Sequence, residues 1–335
     1  MTASLVLETH NLGESNDGPE EWTRSLCALL RHLREQTQPL TGLAEVVITG
    51  RRFPPGAREA LSEAAGRAIT LVTLPAGADY YESKNLGFDG TTSGIVAFGD
   101  TDCWPDAEWL ERLLAPFSQI GADAISAVAG RTTYRRDWLG AAASTIDFLY
   151  FQSPLGKECT RNFYANNVAF RREVFAANRY LPEDGVSRGH CQVLGLKLQA
   201  QGVKVFFEPR ARTIHRFPDS AKAFLRLRLL RGQDTTQLTP KLMQTYAPRP
   251  LAKLLSRSPW GPLSVLGLRL GYSVAALGHQ DMPALPPVER LKALLAIQAI
   301  SALDTAGAML QAAGLPIGNA SKEQLAYRTN ADALS

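Results

Sequence analysis

The sequence predicts an α/β fold: a mostly parallel, doubly wound sheet flanked by helices, followed by a helical extension. Three observations predict it. Short apolar runs alternate with amphipathic helical stretches through the first 115 residues, the signature of a parallel sheet with crossover helices. One run, residues 95–98, is long enough for a buried strand and ends in a turn carrying two acids, Asp100 and Asp102. From about residue 221 the strands stop and long apolar helical stretches take over.

Taken in order, residues 4–8 read as a short buried strand whose carboxyl-end loop is Thr9-His10-Asn11. Residues 20–34 form a helix, because Trp22, Leu26, Leu29, Leu30 and Leu33 fall along one face. Residues 45–49 are a second strand closed by Gly50, residues 57–66 a second helix, and residues 69–74 a third strand. Lys84 and Asn85 lie in the segment ahead of the central strand. After that strand, Asp106 is placed to cap a helix in which Trp109, Leu110, Leu113 and Leu114 recur at helical spacing. A second half follows: a strand at 124–129, a helix at 138–151, a strand at 162–171, helices starting at 173 and 189, and a strand at 203–208. Residues 221–230 then make a basic amphipathic helix with Lys222, Arg226 and Arg228, and Arg231 just beyond it. Apolar helices at 259–278 and 288–313 follow, separated by proline breaks. Each carries charge inside it (Arg269; Lys292 and Asp304), so neither is a clean membrane span. Packing against the preceding domain and lying in the plane of a membrane are both open to them. The expected division is residues 1–218, in a first half (1–115) of the size of a nucleotide-binding unit and a second half (116–218), and a helical extension at 219–335.

Composition narrows the function classes. The 335 residues can bury a large core, and the net charge of +4 is small and scattered, which disfavours nucleic acid as the main partner. The four cysteines lie far apart without a CxxC pair, which fits a reducing compartment and argues against a zinc ribbon or a disulfide framework. The first ten residues lack the basic flank and long apolar core of a signal peptide. A cytoplasmic location is therefore expected, at the inner face of the membrane if the apolar extension engages anionic lipid.

Asp-x-Asp is a common chance pattern, and acids at strand ends are usually turn chemistry. Context gives this pair more weight. Tyr80-Tyr81, Lys84-Asn85-x-Gly87, and an acidic pair fifteen to seventeen residues after Asn85 occur in one order. With these, residues 3–217 resemble the family 2 glycosyltransferases, enzymes of GT-A fold that use nucleotide-sugar donors and carry an Asp-x-Asp motif. The resemblance implies a GT-A fold and a metal-dependent inverting glycosyltransferase. Its donor would be a nucleotide sugar, UDP-linked by expectation, and its acceptor a glycan or lipid-linked hydroxyl.

The resemblance also assigns roles. Thr9, His10 and Asn11 fall where the family surrounds the base, and His10 can stack on a uracil. Lys84 and Asn85 stand in the place of an Arg-Asn pair, where a lysine meets the diphosphate as a point charge. Asp102 would ligate Mn²⁺ or Mg²⁺ directly, with Asp100 on the ribose or on the ion through water, and His215 as a third ligand. Two departures stand out. Thr49-Gly50 replaces the usual acids after the second strand. His190-Cys191 replaces the Glu-Asp pair that supplies the base. Three accounts remain open: His190 as base, Glu183 or Asp184 from the preceding loop as base, or a catalytically silent nucleotide-sugar-binding or scaffold protein. The Gln-x-x-Arg-Trp pattern of processive relatives is absent after Arg231, which disfavours long-polymer synthesis, and residues 226–231 are expected as a basic mobile segment over the diphosphate.

Overall fold

The computed structural model describes residues 2–9, 18–119, 125–181, 189–247, 249–256, 258–278, 284–315 and 317. Its centre is an eight-stranded mixed sheet. The first half runs β1 (Ala3–Glu8), α1 (Gly18–Arg34), β2 (Glu45–Gly50), α2 (Ala57–Ala65), β3 (Thr70–Thr73), α3 (Tyr80–Asp89) and β4 (Ile95–Asp100). These strands are all parallel, in the order β3-β2-β1-β4. Both faces of β1, β2 and β4 are covered, so their residues are almost uniformly buried rather than alternating.

The second half consists of β5 (Cys103–Pro105), α4 (Trp109–Leu114), α5 (Pro116–Gln119), β6 (Ala127–Thr133), α6 (Trp138–Asp147), β7 (Asn167–Arg171), α7 (Arg172–Ala177), α8 (His190–Ala200) and β8 (Val205–His215). Here β7 pairs antiparallel with both β4 and β6, and β8 pairs parallel with β6 and antiparallel with β5. The sheet continues β4-β7-β6-β8-β5.

Several boundaries differ from the sequence expectation, each for a local reason. Residues 103–105 are a strand, and the helix after them begins at Trp109 with Glu108, not the expected Asp106, at its cap position; the Asp106 carbonyl accepts from the Trp109 amide at 2.9 Å. The strand expected from residue 162 starts at 167, because Asn162 is spent on the loop. Its amide donates to Leu149 O at 2.5 Å and its carbonyl accepts from Phe151 N at 2.9 Å. The strand expected to stop at Glu208 instead runs to His215. Pro209 cannot donate to the ladder, so the register jumps from Gly130↔Glu208 to Arg131↔Arg212 and pairing then resumes. That continuation places His215.

Beyond the sheet lie α9 (Ala221–Tyr246), α10 (Arg249–Leu255), α11 (Gly261–Ala276) and α12 (Pro287–Ala312). Leu277, Ala293, Ile297 and Ile300 share one buried cluster with Val6, Val96 and Phe98 of the sheet. Burying an isoleucine such as Ile297 is worth about 1.5–3 kcal/mol. The approach of α9 to α12 needs a glycine: a Cβ on Gly232 would sit 1.9 Å from the Asp304 carbonyl oxygen. Among the described residues, α12 is the one helix long and apolar enough to cross a membrane by length and composition, and 39% of its most apolar window is buried in the fold. Of the exposed large hydrophobic side chains in the described residues, all but Leu181 lie beyond residue 221, among them Leu254, Trp260, Val288, Leu291 and Leu295.

Candidate active site

The parallel strands β1 and β4 end side by side, with Glu8 opposite Asp100 in the register. Both side chains are buried. Thr101 turns the chain there, its amide and hydroxyl donating to Glu8 O at 3.1 and 2.9 Å. This is where open α/β sheets bind ligands, beyond the carboxyl ends of the strands.

Asp100 is held from α3. Gly87 lets that helix lie close on the sheet, since a Cβ there would come within 2.4 Å of Val6 Cγ1. One turn earlier Lys84, fully buried, reaches Asp100 Oδ1 at 2.5 Å and Gly99 O at 3.3 Å. Tyr80 OH donates to Asp100 Oδ2 at 2.8 Å. Burial pushes the Asp100 carboxyl up; Lys84 pulls it back, and Asp102 adds to the upward push. Asn85, beside Lys84 in sequence, is directed elsewhere: its amide nitrogen donates to Tyr180 O at 2.8 Å. Thr9 is also engaged, its hydroxyl donating to Thr49 O at 2.7 Å. His10, Asn11, Glu183 and Asp184 lie outside the described residues.

Asp102 has a different environment. It is 6% exposed, and its Oδ2 accepts no hydrogen bond. The atom facing it is His215 Nε2, 3.5 Å away. His215 Nδ1 lies 2.8 Å from Arg216 O, which assigns the ring hydrogen to Nδ1 and leaves the lone pair of a neutral ring on Nε2. A carboxylate oxygen and an imidazole lone pair facing each other at that distance need positive charge between them. Either a second ring proton or a bound cation supplies it. The donor types fit a divalent cation, and the ligating atoms of Asp102, Cys103 and His215 all lie within 4.8 Å of one another.

His190 opens α8 after Gly189, which adopts φ +85°. Its ring packs on Tyr81 with centroids 4.4 Å apart, and Tyr81 packs edge-on against Tyr80, the residue that holds Asp100. Burial pushes the imidazole pKa down, opposed by Asp79, so the ring is held neutral near pH 7. Burial pushes the Cys191 thiol up, away from nucleophilic character.

Behind His215 lies an ionic cluster that sequence reasoning missed. Arg228, fully buried on α9, bonds Asp147 Oδ1 at 2.8 Å and Asp304 Oδ1 at 2.8 Å. Arg231 also pairs with Asp147, and Arg269 of α11 with Asp304. The expected basic mobile segment at 226–231 is therefore corrected at Arg228 and Arg231, which are spent on buried acids. Tyr134 links the cluster to the site: its hydroxyl donates to Asp147 Oδ2 at 2.9 Å and its ring meets His215 edge-on at 5.5 Å. The available signal was charge inside apolar helices, at Asp147, Arg269 and Asp304. A separate cavity of about 570 Å³, lined by Arg131, Tyr150, Lys157, Phe207 and others, includes none of the sequence-predicted site residues.

Comparison with known proteins bears on this geometry. Residues 23–179 match the family model described as glycosyl transferase family 2. No curated protein sequence matches the chain. Among solved structures, the chain is similar to a mannosyltransferase from Pyrobaculum calidifontis in complex with GDP-Man and Mn²⁺. The two are 18% identical, with a TM-score of 0.57 over 92% of this chain and 86% of that one. A looser likeness joins it to GalNAc-T7 with UDP, GalNAc and Mn²⁺, at 17% identity and a TM-score of 0.49 over 81% of this chain and 54% of that one. The fold is GT-A-like, and residues 23–179 within it are the part that matches glycosyl transferase family 2.

Proposed function

We propose that this glycosyltransferase, identified by its family 2 domain, moves a sugar with inversion from a UDP-linked donor to a hydroxyl of a glycan or lipid-linked acceptor, using a divalent cation. One observation carries the reading: the buried, unbonded Asp102 oxygen that faces His215 Nε2 at the ends of the middle strands. Asp102 and His215 would hold the divalent cation, and the ion would supply the charge that stabilises the departing diphosphate. Lys84, neutralised in part by Asp100, places a cation beneath the same strand ends. Asp100 keeps acceptor capacity beyond its bonds to Lys84 and Tyr80, because a carboxylate offers about four lone-pair sites. A ribose hydroxyl or an ion-bound water suits that remainder. Thr9, His10 and Asn11 are proposed around the base, with Asn85 fixing α3 behind Lys84.

His190 is proposed to take the acceptor's proton. Its lowered pKa keeps the imidazole in the base form at neutral pH. His190→Gln should lower kcat by roughly 10²- to 10⁴-fold while donor binding survives. The wild-type rate should show an acid limb below the ordinary histidine value, and that limb should vanish in the variant. An unchanged kcat would move the base to Glu183 or Asp184. The primary test is release of nucleoside diphosphate from a panel of nucleotide sugars with Mn²⁺ and candidate acceptors. Donor binding without turnover on any acceptor would favour a silent nucleotide-sugar-binding or scaffold role.

The extension is proposed to rest on an anionic membrane surface. Exposed Leu254, Trp260, Val288, Leu291 and Leu295 lie near exposed Lys253, Arg290 and Lys292 in the chain, the composition of an interfacial helix group. Co-sedimentation with vesicles rich in phosphatidylserine should exceed that with neutral vesicles and weaken with salt. Equal partition into both would count against it.

A further inference from the structure

The cluster around Asp102 contains a donor atom that one carboxylate and an imidazole do not account for. Cys103 opens β5 directly opposite His215 in the antiparallel ladder. Opposed residues project to one face with Cβ atoms roughly 4.5–5.5 Å apart. Asp102 sits in the turn just before the strand, and its carboxylate returns to that face. Cys103 Sγ lies 3.6 Å from Asp102 Oδ1, while Asp102 Oδ2 lies 3.5 Å from His215 Nε2. Cys103 is buried, 4% exposed. The strand that carries it is clamped from α1: the His32 ring stacks on Trp104 at 4.5 Å and its Nε2 lies 2.6 Å from Pro105 O. On the other side, the Arg216 amide donates to Asp102 O at 2.8 Å. Three donors of different type are thus held on short, paired backbone.

We propose that Cys103 is a direct ligand beside Asp102 and His215, making this an oxygen–nitrogen–sulfur site that selects Zn²⁺ or Co²⁺ over Mg²⁺. The inference rests on the proposed cation site and names its metal class. Mg²⁺ takes oxygen ligands in near-ideal octahedral geometry, so a thiol and an imidazole serve it poorly. Zn²⁺ and Co²⁺ accept all three donor types, and three protein ligands with an open fourth position is the pattern of catalytic zinc centres. The open position would face the donor's phosphates. The ion binds the sulfur as thiolate, the thiol proton passing to solvent.

Titration of the full-length, reduced protein with Co²⁺ tests this. The expected result is a near-ultraviolet sulfur-to-cobalt charge-transfer band that saturates at one equivalent and is absent in Cys103→Ser. Zn²⁺ should displace the cobalt stoichiometrically, while Mg²⁺ in hundredfold excess should not. Cys103→Ser should lose Zn²⁺ affinity on the order of 10- to 100-fold with Mg²⁺ affinity little changed. Should that variant fold poorly, X-ray absorption of the zinc-loaded wild type gives the same answer, with one sulfur expected at about 2.3 Å. Cobalt bound without a sulfur band, or zinc without a sulfur neighbour, overturns the thiolate ligand but leaves the cation site standing. No cobalt bound at all overturns both.

Discussion

Asp102→Asn is expected to abolish nucleotide-sugar turnover without harming the fold. The loss should be roughly 10³-fold or more in kcat, the scale seen when a group stabilising transition-state charge is removed, or about 4 kcal/mol at 1.36 kcal/mol per tenfold. The stability arm runs the other way. In the free protein the Asp102 Oδ2 atom is buried and accepts no hydrogen bond, with His215 Nε2 facing it at 3.5 Å. An amide in its place removes a buried charge, so the melting temperature of the metal-free variant should equal or exceed that of the wild type. The rise in melting temperature that a divalent cation confers on the wild type should disappear. Turnover unchanged in the variant would remove the cation from the reaction. A marked loss of metal-free stability would mean that Asp102 is structural.

Arg228→Met should be the most destabilising single change in the molecule away from the sheet. Arg228 is fully buried and is shared between Asp147 and Asp304, so its removal leaves two buried carboxylates with one arginine each. Breaking a buried ion pair from one side costs about 3–5 kcal/mol. A drop in melting temperature on the order of 10 °C follows for a chain of this size. Asp147 is held well below the usual carboxylate range, burial being outweighed by Arg228 and Arg231. Its folded pKa lies below its unfolded one, so its contribution is complete above the unfolded value and is lost as pH falls through the folded value. The acid limb of the stability curve should therefore be shallower in the variant. Urea midpoints across pH check both statements, and a wild-type midpoint in Arg228→Met would show that the cluster contributes nothing net. Because Tyr134 bridges Asp147 to His215, the same variant should also weaken cation affinity.

Much of the fold was legible because local pattern specifies it. Residues 4–8, 45–49 and 95–98 are apolar runs bounded by polar turns, and strands buried on both faces read that way. Helix faces followed from 3.6-residue spacing, as with Leu26, Leu29, Leu30 and Leu33. The position of Asp100 and Asp102 followed from strand termination, since a strand that ends in acids delivers them to the carboxyl edge of the sheet.

What local pattern could not supply was partnership between distant residues. Lys84 reads in the sequence as a phosphate contact, and it became the buried partner of Asp100 because Gly87 let α3 settle on β1. Arg226, Arg228 and Arg231 read as one basic face, but two of the three point at acids from other helices. Cys103 carried no signal, for its role depends on β8 passing Pro209 by a bulge and continuing to His215. The sequence by itself determined where strands and helices form and which end of the sheet bears the acids, because those depend on hydrophobic period and turn chemistry over a few residues. Only the tertiary structure decided which charges are buried against which, and which side chains converge beside Asp102. Those contacts close loops of many residues, and their free energy depends on packing that no short window of sequence encodes.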